Sequence, residues 1–189
     1  MKFDFNLEKE KLIENIVKIE DKDFDILEKI NKESPTIRIG ARGIVLDKNG
    51  NIAVIYKEKK NEYKLPGGGV EDEDINKAFI RECREELGIE VDIKKLIGTA
   101  EEYKSQENFK QISYVFIAEK IFDLPNNNLT IKEKEEGTKY IWMNKFEAIE
   151  KMKNSLNNLK ASKYDNIYRT KFIVLRDIKI LEYYINNFK

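Results

Sequence analysis

Apolar residues follow two rhythms along the chain, and each change of rhythm marks an element. Phe3, Phe5 and Leu7 alternate with polar neighbours as in a short strand, whereas Leu12, Ile13, Ile16 and Val17 recur at helical spacing. Asp21 or Asp23 is placed to cap a second helix carrying Phe24, Leu27 and Ile30, and Ser34-Pro35 closes the stretch. Residues 1–35 therefore read as a helical N-terminal extension. From Thr36 the period becomes two: Ile37, Ile39, Ala41 and Gly43 alternate, Ile44, Val45 and Leu46 run into Asp47-Lys48-Asn49-Gly50, and the chain returns through Ile52 to Tyr56. That is a hairpin pattern.

A short strand over 63–65 delivers the chain to Pro66, and a helix follows over 75–87, closed by Gly88. Strands are expected over 91–102 and 109–118, with 104–108 as their turn, and again over 140–143. Asn144 with Glu147 three residues on starts a helix that runs to about Leu156. The polar, asparagine-rich stretch 154–166 reads as loop. From Thr170 onward Val174, Ile178, Leu181, Ile185 and Phe188 form the apolar stripe of a terminal helix. The alternation of strands and helices predicts an α/β domain over 36–150, with 151–189 as a C-terminal helical extension packed on it.

Charge narrows the partners. The chain of 189 residues has 35 basic and 35 acidic side chains, so no net field steers it to a polynucleotide or an acidic membrane surface. No run approaches the ~18 apolar residues of a membrane span, and the N-terminus MKFDFNLEKEK lacks the apolar core of a secretory signal. A soluble, cytoplasmic protein is expected. Cys83 is the sole cysteine and histidine is absent, which excludes internal disulfides, thiolate cages and imidazole ligands. A metal site here must use oxygen, which favours Mg²⁺ or Mn²⁺ over zinc.

Placed about 100° apart around the 75–87 helix, Ile75, Ala78, Phe79 and Cys83 form the core side, with Lys77, Arg81 and Arg84 on or near the solvated side. Glu82 and Glu86 fall inside the apolar arc, and Glu85 sits at its edge. Carboxylates gathered on an inward flank repel one another and lose hydration unless a cation neutralises them. Upstream, Gly67-Gly68-Gly69 allows a close backbone approach to a ligand, and N–H groups near the helix start can face an anion.

Together, Gly67, Glu73, Arg81, Glu82, Glu85, Glu86, Gly88 and Ile89 match G-x5-E-x7-R-E-U-x-E-E-x-G-U, with Cys83 in the apolar slot U. The stretch resembles the Nudix box of the Nudix hydrolase superfamily. The family's common loop wording also aligns with Gly67, Gly68, Val70 and Glu71, which leaves the loop one residue short before Glu73.

The resemblance implies an α/β/α sandwich with a mixed sheet, flanked here by N- and C-terminal helical extensions. It implies Mg²⁺-dependent hydrolysis of a pyrophosphate bond in a nucleoside diphosphate linked to some moiety X. By the same resemblance Glu82, Glu85 and Glu86 hold Mg²⁺, with Mn²⁺ as the alternative, and Arg81 pairs with Glu73 to fix the loop to the helix. Glu82 is the first choice of base, with Glu135 or Glu136 as the candidates outside the box. Gly67, Gly68 and Arg42 are the expected substrate contacts, with Arg38 and Lys57 as weaker phosphate candidates. Tyr63, Tyr103, Phe109 and Tyr114 are aromatics available to stack on a base. The alternatives are a catalytically silent nucleotide-binding or regulatory module of the same fold, and an enzyme acting on a non-nucleotide diphosphate. The terminal helices either cover the cleft or form a homodimer interface.

Overall fold

The computed structural model describes residues 13–188. The chain runs β1 (Asn15–Ile19), β2 (Thr36–Leu46), β3 (Ile52–Lys57), β4 (Glu62–Lys64), β5 (Gly67–Gly69), α1 (Ile75–Glu82), β6 (Ile89–Lys104), β7 (Phe109–Asp123), α2 (Ile131–Glu135), β8 (Thr138–Met143), α3 (Lys145–Asn157) and α4 (Ile167–Asn187). The strands form one eight-stranded mixed sheet ordered β1-β6-β7-β2-β3-β4, with β5 added to β2 and β8 to β3. Pairs β1–β6 and β2–β7 are parallel, and the remainder are antiparallel.

Alternation along the central strands builds two cores. Ala41 and Val45, Ala53 and Ile55, and Phe116 and Ala118 point to one face, where Ala78, Phe79, Cys83 and Leu87 cover them. Ile44, Ile52, Val54, Val115 and Ile117 point to the other, where α3 and α4 supply Ala148, Met152, Phe172, Val174, Ile178 and Leu181. The result is the expected α/β/α sandwich. Each late helix starts where an asparagine side chain accepts a first-turn N–H: Asn144 from Phe146 at 2.9 Å and Asn166 from Arg169 at 2.8 Å. No helix among the described residues is long and apolar enough to cross a membrane.

The N-terminal stretch departs from its expected helices. Phe3, Phe5, Leu7 and Leu12 lie outside the described residues. Where the chain is described, Ile16 and Val17 belong to strand β1, in which Val17 and Ile19 bury while Lys18 stays exposed. β-branched residues suit a pleated edge, and the stretch is a strand rather than the expected helix. Asp21 opens one 3₁₀ turn, ended by Asp25 at φ 57°. Leu27 and Ile30, the expected stripe of a second helix, are 90% and 95% exposed on chain without regular structure. At the other end, the boundary drawn at residue 150 falls inside α3, because Ala148 and Met152 bury together on one face of that helix.

One feature of the topology positions the site. Strands β2 and β3 meet at Leu46 and Ile52 and then part. β4 takes the edge of β3 and β5 that of β2, so residues 62–69 cross the gap between them. A cleft opens there.

Candidate functional site

The glycine triplet, expected as a loop, is strand β5, with Gly67, Gly68 and Gly69 opposite Arg42, Ala41 and Gly40. At Gly67, φ is 134° and an added Cβ would lie 2.3 Å from the Ala41 carbonyl oxygen, so no other residue fits without moving backbone. At Gly68 an added Cβ would lie 2.4 Å from Glu82 Oε1. These glycines bring β5 against β2 on one side and a carboxylate on the other. The Gly67 N–H donates to Glu86 Oε2 at 2.8 Å.

Helix α1 starts under Asp74, whose side chain accepts from the Asn76 N–H at 2.8 Å. It continues through a π-helical turn, Cys83–Leu87, which Gly88 ends at φ 63°. Glu86 is 3% exposed, and its Oε1 receives the Lys64 ammonium from β4 at 2.6 Å. Burial works against a charged Lys64, but Glu86 outweighs it and holds the pKa above the ordinary lysine range.

Arg81 is not on the solvated side, where the helical projection put it. Its Nε and Nη2 donate to Glu73 Oε1 at 2.8 and 2.7 Å, and Nη2 also donates to the Gly69 carbonyl at 2.9 Å. Nη1 reaches Glu82 Oε1 at 2.9 Å and Glu85 Oε2 at 3.1 Å. One guanidinium thus ties the turn before α1 to the helix and orients two carboxylates. Glu71 stands exposed at the rim and makes no ion pair among the described residues.

These groups line one wall of a cleft of about 390 Å³ that also includes Arg38, Arg42, Lys60, Glu62, Asp165 and Arg176. The acidic wall matches a hard cation in donor type, all of it oxygen. Burial, and then the Glu86 charge, push the Glu82 carboxyl above its usual range, a strain that a divalent ion would relieve. Glu82, Glu85 and Glu86 are meanwhile each met by a cation of the chain. Among the described residues no three acidic groups converge as a ready-made cage. On donor chemistry the residues fit Mg²⁺ or Mn²⁺.

The candidates outside the box lie elsewhere. Glu136 is 2% exposed and accepts from Lys57 Nζ at 2.8 Å and Ser162 Oγ at 2.9 Å. Glu135 pairs with Lys163 at 2.6 Å and bonds the Tyr164 hydroxyl. Neither lines the cleft, because the short helix α2 turns both toward residues 162–164. Lys57 lines the cleft, but its ammonium is engaged by Glu136. Of the aromatics, Tyr63 stacks on Tyr56 at 4.3 Å, Tyr103 accepts from Asn31, and Tyr114 packs in the α1-side core. Phe109 lines a second hollow, which continues from the cleft past Arg38, Gln111 and Asp165.

Sequence reading missed Lys60, Glu62, Lys64, Asp165 and Arg176. Lys60 Nζ lies 2.5 Å from Glu62 and 3.2 Å from Asp165. A signal existed for two of them: alternation in β4 sets Glu62 and Lys64 opposite Tyr63, and both are buried. Arg176 and Asp177 interrupt the apolar stripe of α4, which was a second signal.

A family model described as the NUDIX domain matches residues 36–163. A Xenopus laevis protein named nucleoside diphosphate-linked moiety X motif 6 is 36% identical over 72 residues, covering 36% of this chain and 33% of the relative, so the match spans about a third of that protein. In structure the chain is similar to the E. coli ORF135 protein, with TM-score 0.53 and 18% identity over 80% of this chain and 91% of that one. It is also similar to a NUDIX hydrolase from Nitrosomonas europaea, with TM-score 0.52 and 13% identity over 75% and 92% of the two chains. A third likeness is to the MutT protein from Methanosarcina mazei Go1, with TM-score 0.50 and 20% identity over 84% and 100%.

Proposed function

The chain belongs to the NUDIX-domain family, and from that premise we propose that it is a divalent-cation-dependent hydrolase. Its substrate is a nucleoside diphosphate linked to a further moiety, cleaved at the pyrophosphate bond. The observation that carries this reading is the pairing, in one cleft, of an acidic wall, Glu82, Glu85 and Glu86, with arginines at the floor and rim, Arg42, Arg176 and Arg38. The name of the Xenopus relative supports the substrate class.

Bound Mg²⁺ or Mn²⁺, held by Glu82, Glu85 and Glu86, would supply charge neutralisation at the diphosphate and a more acidic water. The chain's own groups do the rest. Lys64 and the Gly67 N–H fix both oxygens of Glu86, and Arg81 orients Glu82 and Glu85. Glu82 is the group assigned to accept the proton of the attacking water. Arg81 holds Oε1, and Oε2 is the atom assigned to take that proton. Arg42 contributes positive charge at the floor of the cleft.

Glu85→Gln is the cleanest test, because Glu85 is 40% exposed and its loss leaves no buried cation alone. With Mg²⁺ or Mn²⁺, hydrolysis of a panel of nucleoside triphosphates, ADP-ribose and nucleotide sugars should fall by about a hundredfold or more, with the unfolding midpoint little changed. Glu86→Gln should also abolish hydrolysis, but leaves Lys64 without its counter-charge and so costs stability too. Full activity in both variants would refute the assignment.

A further inference from the structure

Beneath the cleft, between the sheet and α4, lies a buried ionic group whose charges do not balance. Arg176 is 1% exposed, with Nη1 on Glu102 and Nε on Asp177 Oδ1 at 2.8 Å. Lys104, 4% exposed, pairs with the other oxygen of Glu102 at 2.7 Å. Arg42, also 4% exposed, comes no closer to Asp177 Oδ1 than 3.8 Å. Asp177 cannot turn to serve it, because Oδ2 accepts the Leu65 N–H at 2.8 Å. Three cations therefore share two carboxylates.

The hydrogen bonding shows the same deficit. Arg42 Nε and Arg176 Nη2 are buried and have no acceptor among the described residues. Buried donors are almost always paired, and a surplus buried charge is costly until an opposite one meets it. Burial, and then the neighbouring Arg176 charge, bring the Arg42 pKa down to about 10. Both arginines line the cleft that holds the acidic wall. Arg176 comes from α4, beyond the residues matched by the family model, so this floor is a contribution of the chain's own C-terminal helix.

We propose that Arg42 and Arg176 form a subsite for a phosphoryl group of the substrate other than those engaged at the acidic wall. The subsite favours substrates that carry an additional phosphate, such as nucleoside triphosphates, over diphosphates whose further moiety is uncharged. A guanidinium presents N–H donors in the fork that matches phosphate oxygens, which suits this pair to the task. The proposal rests on the hydrolase reading for its substrate, but its binding arm is independent of hydrolysis.

The binding arm titrates inorganic phosphate and pyrophosphate into the full chain in EDTA, followed by calorimetry, with chloride at equal ionic strength as reference. Phosphate and pyrophosphate should bind the wild type, and Arg42→Gln should weaken both about tenfold or more. Arg84→Gln should leave them unchanged, since that exposed arginine pairs with Glu90 away from the cleft. Arg176→Gln strands Glu102 and Asp177 and is liable to misfold, so Arg42→Gln carries the test, backed by a phosphate-dependent rise in the wild-type unfolding midpoint. The kinetic arm separates substrate phosphate from free phosphate: Arg42→Gln should raise KM about tenfold for a nucleoside triphosphate and much less for ADP-glucose. Absence of phosphate binding, equal binding in Arg42→Gln, or equal KM changes for the two substrates each overturn the subsite. Hydrolysis without Arg42-dependent binding refutes the subsite and leaves the hydrolase reading standing. Arg42-dependent binding without hydrolysis of any substrate does the reverse.

Discussion

Gly68 and Glu82 are packed so closely that a larger residue at 68 must displace the carboxylate. A methyl group at Gly68 would sit 2.4 Å from Glu82 Oε1, and the yielding atom is the end of a flexible side chain. Gly68→Ala should therefore displace the carboxylate from Arg81, lowering hydrolysis about ten- to hundredfold while the urea midpoint barely moves. Gly67→Ala is the contrast: its Cβ meets the Ala41 carbonyl at 2.3 Å with φ at 134°, so the backbone must shift. A stability loss of about 2–4 kcal/mol is expected in urea unfolding. If both variants lost stability equally, the separate roles of the two glycines would fall. The glycines and carboxylates were legible in the sequence because the spacing from Gly67 to Ile89 is local. Lys64 was not, because it lies outside that motif and its tie to Glu86 exists only once β4 meets the turn that follows α1.

At the scale of elements, the apolar pattern was informative where it fits one period alone. Strands β2, β3 and β7 and helices α1, α3 and α4 follow their apolar patterns. It misled where chain near residue 16 satisfied both periods, since whether an apolar pair faces a helix partner or an open sheet edge is decided by β6, far along the chain. It also misplaced Arg81, because a projection by angle alone ignores the reach of a long side chain and the acidic partners folded over it. Helix α4 shows what such partners do. Asp177 there accepts the Leu65 N–H, holding the crossing between β4 and β5 against the helix. Asp177→Ala removes that acceptor and a counter-charge of Arg176, so a loss on the order of 3–5 kcal/mol is expected, with the urea midpoint lowered and its slope kept. Asp177→Asn, which retains an acceptor oxygen, should lose less; an equal loss would mean that the charge alone matters.

For the whole molecule, the α/β class was readable from the order of elements and the α/β/α layering was implied by the family resemblance, but the place of the cleft was not legible. It depends on where β2 and β3 part, a long-range event with no local signature. The same event leaves polar groups stacked between sheet and α4, and these set the response to acid. Burial alone would raise the Glu102 pKa, yet Arg176 and Lys104 outweigh it and bring it to about 2 from an ordinary 4.5. As pH falls, the unfolded chain takes up the proton first, so the contribution of Glu102 is complete above about pH 5 and is lost between there and about pH 2. The difference of roughly 2.5 pH units corresponds to on the order of 3 kcal/mol. Other carboxylates held low by lysines, Glu136 and Asp165 among them, act in the same direction. The Glu102 share is therefore read as a difference between proteins. Unfolding free energy measured in urea at pH 7, 5 and 3 should fall steeply for the wild type below pH 5. Glu102→Gln should start lower at pH 7, with Arg176 and Lys104 undercompensated, and show a shallower decline. Parallel declines in the two proteins would place the acid sensitivity outside the α4 interface.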